Sequence, residues 1–206
     1  MATKVTALSN TSNDAKTDIE LSVPYEVECK IEGTAALLFH RWSCDAIEEK
    51  AIARKGSAAK KTDNIESYLY RDEQGFISIP AEYFRQSIIH AAKFKQDPRS
   101  PRKSAMDLFK AGIATLNEMC SLKVKEPDFL DRRRVVIQRS GITRVRPAMT
   151  SGWKCAVNLS VLLPEYISPA LLNETLQYAG RIVGVGDFRP SFGRFIVTGF
   201  NVLELK

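Results

Sequence analysis

One segment, Gly184–Phe195, concentrates glycines, arginines and phenylalanines. Glycine permits positive φ and the close approach of a second backbone. Arg189 and Arg194 add permanent positive charge, and aromatic rings offer surfaces on which bases stack. The rings belong to Phe188, Phe192 and Phe195. Because N–H groups, guanidinium groups and rings together can hold a phosphodiester chain, we interpret the segment as a nucleic-acid contact. The alternative is a tight turn whose rings fill the core.

A second candidate is the stretch from Asp131 to Arg146, which carries six arginines. The guanidinium fork matches the geometry of phosphate oxygens. Only Asp128 and Asp131 lie nearby in sequence, so many of these charges lack a local partner. The alternative is a solvated charged surface. We predict contacts with nucleic acid from Arg133, Arg139, Arg144 and Arg146.

Two more segments, 54–61 and 95–103, are basic and have the composition of loops. Lys60 and Lys61 of the first loop, together with Arg41, complete the predicted nucleic-acid-binding set. For a single basic loop, a mobile surface that aids solubility is the favoured interpretation. Four separate basic segments favour an extended anionic ligand over a single phosphate.

Catalytic and metal-binding patterns are weak. His40 and His90 are the only histidines. His40 has the chemistry of a general base for RNA cleavage, whereas His90 is expected to be structural. The four cysteines lack the spacing of metal ligands and are expected to be reduced and mostly buried. Since no phosphate-binding loop or catalytic triad is recognisable either, we predict no catalytic residue, no metal and no cofactor.

Length and composition limit the number of domains and the class of partner. The chain has 206 residues, a hydrophobic content of 44% and a net charge of +6. This suits one domain with a proper core and an anionic partner. Residues 1–20 are polar and predict a disordered leader, followed by a single domain over 21–206. No apolar run has the length of a membrane span and no signal peptide is recognisable, so we expect a cytoplasmic protein without a membrane partner.

The elements that would position these residues follow from hydrophobic periodicity. Alternation predicts half-buried strands from Tyr25 and over 154–162, and a closing strand over 195–205. Helices are predicted over 43–54, 81–93 and near 105–110, and after the cap Ser168-Pro169.

Strands are also predicted on either side of the turn 72–75, within 113–124, at 135–137 and after a bend at Gly141. With the insertions removed, the order is β-α-β-β-α-β. The fold class is therefore α+β: a ferredoxin-like, RNA-recognition-motif-like antiparallel sheet with helices on one face and with hairpin and loop insertions.

Two motifs resemble a known superfamily. Phe76-Ile77-Ser78-Ile79-Pro80, leading into a helix, resembles the isoleucine-proline element of the RAMP superfamily, the RNA-binding subunits of CRISPR effector complexes. Gly184–Phe195, with its Gly-Arg-Phe end, resembles that superfamily's glycine-rich loop between the last helix and the last strand. Ala81 and Glu82 stand where the RAMP element usually has glycine and serine. The resemblance implies a RAMP-like domain over 21–206 and a backbone-subunit role on RNA.

Over most of its length the chain is also similar to uncharacterised proteins of phages and prophages. Segments that carry this likeness are Gly33-Thr34-Ala35, Asp97-Pro98 and Gly184–Phe195. It implies a phage-encoded protein in a bacterial host cell.

Together these observations favour non-catalytic binding of single-stranded nucleic acid, with RNA favoured over DNA, through basic loops and the glycine-arginine loop. The expected assembly is a homo-oligomer along the strand or a subunit of a ribonucleoprotein complex. One alternative is a metal-independent endoribonuclease that uses His40. Another is a phage structural or host-interaction protein that binds an acidic protein partner.

Overall fold

The computed structural model describes residues 23–44, 48, 51–52, 64–137 and 140–203. In chain order the elements are β1 (Tyr25–Gly33), β2 (Leu37–Leu38), β3 (Tyr70–Arg71), β4 (Ile77–Pro80), α1 (Ala81–Ala92), β5 (Gln96–Asp97), β6 (Ser100–Ser104), α2 (Met106–Gly112), β7 (Ile113–Thr115), β8 (Met119–Ser121), β9 (Phe129–Ile137), β10 (Ser140–Met149), β11 (Lys154–Val161), α3 (Pro169–Ile182) and β12 (Phe195–Leu203). A single 3-10 turn, Glu66–Tyr68, precedes β3.

The central sheet has four antiparallel strands in the order β12-β1-β11-β7. With α1 between β1 and β7, and α3 between β11 and β12, this is the ferredoxin-like order that the sequence predicts. The alternation in β1 places Val27, Cys29 and Ile31 in the core, because successive side chains of a strand point to opposite faces. The predicted α+β class is confirmed.

Both long helices cover the same face of this sheet. Phe84 of α1 meets Phe195 of β12 edge-to-face, with ring centroids 5.6 Å apart. Ser168 caps α3 as predicted, since its Oγ accepts a hydrogen bond of 3.3 Å from the N–H of Leu171. At Gly180 a Cβ would overlap the carbonyl oxygen of Phe195, so glycine lets α3 approach β12 closely.

The opposite face of the central sheet is open and acidic. In β1 it carries Glu26, Glu28 and Glu32 against a single cation, Lys30. In β11 Lys154 adds one further cation, but its Nζ lies 3.3 Å from Glu32 Oε2. Since no aromatic side chain of β1 or β11 stands on this face, the open sheet lacks the stacking platform of an RNA-recognition motif.

The described residues also form three smaller sheets: β2-β10-β9, β3-β4-β8 and β5-β6. The β3–β4 hairpin confirms the predicted turn over 72–75, where the Asp72 carboxylate accepts hydrogen bonds from the backbone N–H groups of Gln74 and Phe76. The long β9–β10 hairpin carries the arginine stretch.

Two local predictions were wrong. Gly141 does not bend the chain but lies inside β10, where it pairs with Val136. The stretch 96–104 is a short hairpin and not a loop, because the buried Asp97 closes its turn by accepting hydrogen bonds from the backbone N–H and the guanidinium of Arg99.

Some predictions fall outside the described residues. These are the leader 1–20, the loop 54–61 with Lys60 and Lys61, Arg139, and most of the helix over 43–54. Within the described part of the chain, none of the helices is long and apolar enough to span a membrane. There Cys29, Cys120 and Cys155 are buried and Cys44 is exposed, and all four are free thiols.

Candidate nucleic-acid interface

The register of the β9–β10 hairpin divides its arginines between two faces. Arg144 lies opposite Arg133, and Arg146 lies opposite Asp131. Directly opposed residues of an antiparallel pair share a face, so these four side chains stand together. Arg132 points to the other face and is exposed.

Arg133 stacks on the glycine segment. Its guanidinium carbon lies 5.1 Å from the ring centroid of Phe188 and 4.6 Å from that of Phe192. Asp131 accepts two hydrogen bonds of 2.5 Å from the same guanidinium. These bonds raise the pKa of Arg133, which therefore stays charged. The hairpin and the glycine segment thus form one surface.

Three glycines allow the glycine segment to fold back on the strands. Gly184, Gly186 and Gly193 have φ of +74°, +78° and +70°, the left-handed region that other residues disfavour. The N–H of Val185 donates to the Gly193 carbonyl (2.9 Å), and the N–H of Asp187 donates to Leu38 of β2 (3.0 Å). The segment is thereby fastened to the sheet that carries the hairpin.

Asp187 is the ionic centre of this surface. Its Oδ2 lies 2.8 Å from Nε of Arg146 and 3.6 Å from Nδ1 of His40. The side chains of Arg146 and Asp187 are 7% and 28% exposed. The Arg146–Asp187 contact is ionic without the alignment of a hydrogen bond, and Nη1 of Arg146 has no partner among the described residues. Arg146 is thus a buried cation that Asp187 balances, and this pair joins β10 to the glycine segment.

Arg144 reaches the chain just before β3. Its Nη1 donates a hydrogen bond of 3.2 Å to the hydroxyl of Tyr68. The Tyr68 ring meets His40 edge-to-face at 5.0 Å. The Arg144–Tyr68 hydrogen bond extends the cationic surface from the hairpin towards Arg41. The guanidinium carbon of Arg41 lies 5.5 Å from the Tyr70 ring centroid. We call Arg133, Arg144, Arg146, Phe188 and Phe192 the arginine cluster.

Arg189 is exposed at the edge of the arginine cluster, beyond Asp187. It lines a pocket together with Asp187, His40 and Tyr83. Phe188, with 42% of its area exposed, has φ of +60°, and its N–H donates to the Asp187 carboxylate at 2.9 Å. An exposed ring beside an exposed guanidinium is the combination that stacks on a base and contacts its phosphate.

Two members of the segment lie elsewhere. Arg194 lines a different pocket, beside Tyr178 and Arg181 of α3. Phe195 is 1% exposed and packs in the core, so the interpretation of its ring as a stacking surface was wrong. For this ring the alternative of a core-filling turn was correct, whereas Phe188 and Phe192 face Arg133.

The second basic loop is partly neutralised. Lys95 pairs with Glu174 of α3, and Arg99 lies 2.8 Å from the Asp97 carboxylate, whereas Arg102 and Lys103 are exposed. Of the four basic segments, the structure brings the hairpin and the glycine segment into contact. Of the predicted site residues, the structure brings together Arg133, Arg144, Arg146 and Phe188, with Arg41 and Arg189 at the border.

Sequence reasoning missed the residues that organise the site. Asp187 pairs with Arg146 and His40, and Tyr68 accepts a hydrogen bond from Arg144. Asp131, which the sequence places near the arginines, orients Arg133. A lone aspartate between a glycine and a phenylalanine carries no local signal for such a role. Among the described residues no group of three or more His, Cys, Asp or Glu side chains could hold a metal ion.

A solved structure shares this arrangement of strands and helices. A chain of the cryo-EM structure of the Type III-B Cmr-beta bound to cognate target RNA superposes on 93% of this chain with a TM-score of 0.53 at 12% identity. The chain therefore shares its fold with that chain, as the resemblance to the RAMP superfamily implies. It spans 65% of that chain's length.

A second solved structure is more distant. The crystal structure of Cmr6 from Pyrococcus furiosus aligns over 85% of this chain and 99% of that chain, at 10% identity and a TM-score of 0.45, and adds nothing to the assignment. No family model matches the sequence, and no curated protein shows significant similarity to it.

Proposed function

We propose that the protein binds single-stranded RNA without cleaving it, through the arginine cluster. The observation that carries this proposal is the joint surface of hairpin and glycine segment. Arg133 stacks on two phenylalanine rings there, and Phe188 and Arg189 are exposed beside it. Guanidinium groups for phosphates and rings for bases are what sequence-tolerant binding of a single strand requires.

The two faces of the molecule support this choice. The open face of the central sheet carries three glutamates on β1, which would repel phosphates. The strand is therefore held on the side of the β9–β10 hairpin and not on the sheet, as it would be in an RNA-recognition motif. The RAMP fold supports RNA over DNA, since a matched structure is of a complex bound to target RNA.

Binding to labelled oligonucleotides tests the proposal. Protein freed of nucleic acid is titrated by fluorescence anisotropy with single-stranded RNA, with DNA of the same sequence and with duplex RNA. We expect the tightest binding to single-stranded RNA. Replacing Arg144 and Arg189 by alanine should weaken this binding about tenfold or more, because two guanidinium–phosphate contacts are lost.

A matched variant controls for net charge. Lys30→Ala with Lys154→Ala also removes two cations, but from the open acidic face. Its affinity for RNA should remain near that of the unmodified chain. Equal losses in the two double variants would contradict a localised interface, and preferred binding of DNA would change the ligand.

Assembly along the strand belongs to the same proposal, with the protein acting as a homo-oligomer or as a subunit of a ribonucleoprotein complex. The edge strand β12 supports it, because Ile196 and Val202 are 50% and 46% exposed. Mass photometry on RNAs of increasing length should show one more copy for each added segment. A constant single copy on every length would contradict assembly.

A second candidate function is metal-independent RNA cleavage at His40. The observation in its favour is the Asp187 carboxylate 3.6 Å from His40 Nδ1, since a carboxylate can orient a histidine base. Labelled RNA incubated with the protein and with a His40→Ala variant decides it. Products formed only by the unmodified chain would establish cleavage, and their absence leaves the binding function alone.

A further inference from the structure

A pocket lies beside the arginine cluster, between the glycine segment and the start of α1. Its volume is 340 Å³, at the small end of the range of about 300 to 1,000 Å³ typical of ligand pockets. The floor is apolar and is formed by Leu37, Leu38, Ile79 and Pro80. The size suits a single nucleotide and excludes a longer piece of a strand.

Two tyrosines form one wall of this pocket. The rings of Tyr70 and Tyr83 meet at 85° with centroids 5.9 Å apart, and their hydroxyl oxygens are 2.9 Å apart. Only one hydrogen lies between the two oxygens, so the pair offers a ligand one donor and several lone pairs. Burial raises the pKa of Tyr83, so its hydroxyl keeps its proton at neutral pH. Base edges carry both donors and acceptors and match such a pair.

The polar groups of the pocket lie around its rim. Gln86 and His90 stand on α1, and Asp187 and Arg189 come from the glycine segment. Arg189 is exposed, which places a permanent cation where the pocket opens to solvent. The apolar floor and the aromatic wall match the base of a nucleotide. The guanidinium at the mouth of the pocket matches its phosphate.

We propose that this pocket takes one nucleotide of the bound strand, with its base against Tyr70 and Tyr83 and its phosphate against Arg189. The inference rests on the proposed function, because the strand on the arginine cluster supplies that nucleotide. One base of the strand leaves its stack to enter the pocket, as bases do when a protein reads a single one. The ligand class is a nucleoside 5′-monophosphate unit.

Titration of the full-length chain with the four ribonucleoside monophosphates tests this site. Binding is followed by calorimetry, and inorganic phosphate serves as the probe that lacks a base. At least one nucleotide should saturate the protein, and phosphate should not displace it. Tyr83→Phe should weaken that nucleotide about three- to tenfold through the lost hydrogen bond. Gln86→Trp should abolish binding by filling the pocket.

Tyr25→Phe is the matched control. The Tyr25 hydroxyl donates a hydrogen bond of 3.0 Å to the carbonyl of Ile167, outside the residues that line the pocket. The Tyr25→Phe variant loses a hydroxyl oxygen, as Tyr83→Phe does, and should bind the nucleotide like the unmodified chain. If Gln86→Trp does not fold, Tyr83→Phe against Tyr25→Phe carries the test.

The outcomes separate the pocket from the wider interface. RNA binding without any saturable nucleotide, and unchanged RNA affinity in Gln86→Trp, would overturn the pocket and leave the proposed function standing. Nucleotide binding without RNA binding would overturn the proposed function and keep the pocket. Equal displacement by inorganic phosphate would also overturn the inference, since the site would then recognise only an anion.

Discussion

At the scale of single residues, Asp187 decides whether the arginine cluster holds together. It is the carboxylate in contact with the buried Arg146, and it also approaches His40. Burying a cation costs free energy unless an opposite charge accompanies it. Asp187 therefore fixes Arg146 in place and joins β10 to the glycine segment.

Asp187→Asn should destabilise the fold and weaken RNA binding together. The expected loss in the free energy of unfolding is about 2 to 3 kcal/mol, below the upper range for buried pairs because Asp187 is 28% exposed. Urea unfolding measures it. Asp128→Asn is the control, since that carboxylate accepts hydrogen bonds from Thr150 but forms no ion pair among the described residues. A loss no larger than the control's would contradict the role of Asp187.

At the scale of elements, the shape of the glycine segment depends on four residues with left-handed backbone conformations, three of which are glycines. At Gly193 a Cβ would also overlap the carbonyl oxygen of Val185. Close backbone approach and positive φ together leave only glycine at this position. The segment consequently presents Phe188 and Phe192 to Arg133 in a fixed geometry.

Gly193→Ala should therefore lower the free energy of unfolding by about 2 to 4 kcal/mol, since strain and steric overlap add. Gly75→Ala separates the two causes, because Gly75 has φ of +78° but open space around it. That control should cost about 1 kcal/mol. Thermal unfolding followed by circular dichroism compares them, and equal costs would show that the contact with Val185 is unimportant.

The β5–β6 hairpin should respond to acid. The hydrogen bond from Arg99 holds the pKa of Asp97 below its usual value. A lowered folded-state pKa contributes stability above the pKa of the unfolded chain, and this stability is lost as pH falls through the folded value. The melting temperatures of the unmodified chain and of Asp97→Asn should differ at pH 7 and converge in acid. A constant difference across this range would exclude the Arg99 contact as the cause.

At the scale of the whole molecule, the strands and helices were largely predictable from the sequence. The alternation in β1 and the cap at Ser168 are local signals, and local geometry satisfies them. The site was not predictable to the same extent. Arg146 and Asp187 are distant in sequence, and only the β2–β10 pairing together with the bond from Asp187 to Leu38 brings them into contact.

The distribution of charge over the molecule supports RNA binding at the arginine cluster. Glutamates line the open sheet face, and arginines line the side where the hairpin meets the glycine segment. A strand bound on one side should release counterions only from the phosphates that face that side. Salt dependence therefore reports which side binds RNA.

The most direct measurement is the slope of log affinity for single-stranded RNA against log salt concentration. For Arg144→Ala with Arg189→Ala the slope should be shallower by about 1.4, since each phosphate contact to a single strand contributes about 0.7. For Lys30→Ala with Lys154→Ala it should stay unchanged. A slope unaltered by loss of the two arginines, or reduced equally by loss of the two lysines, would contradict RNA binding at the arginine cluster.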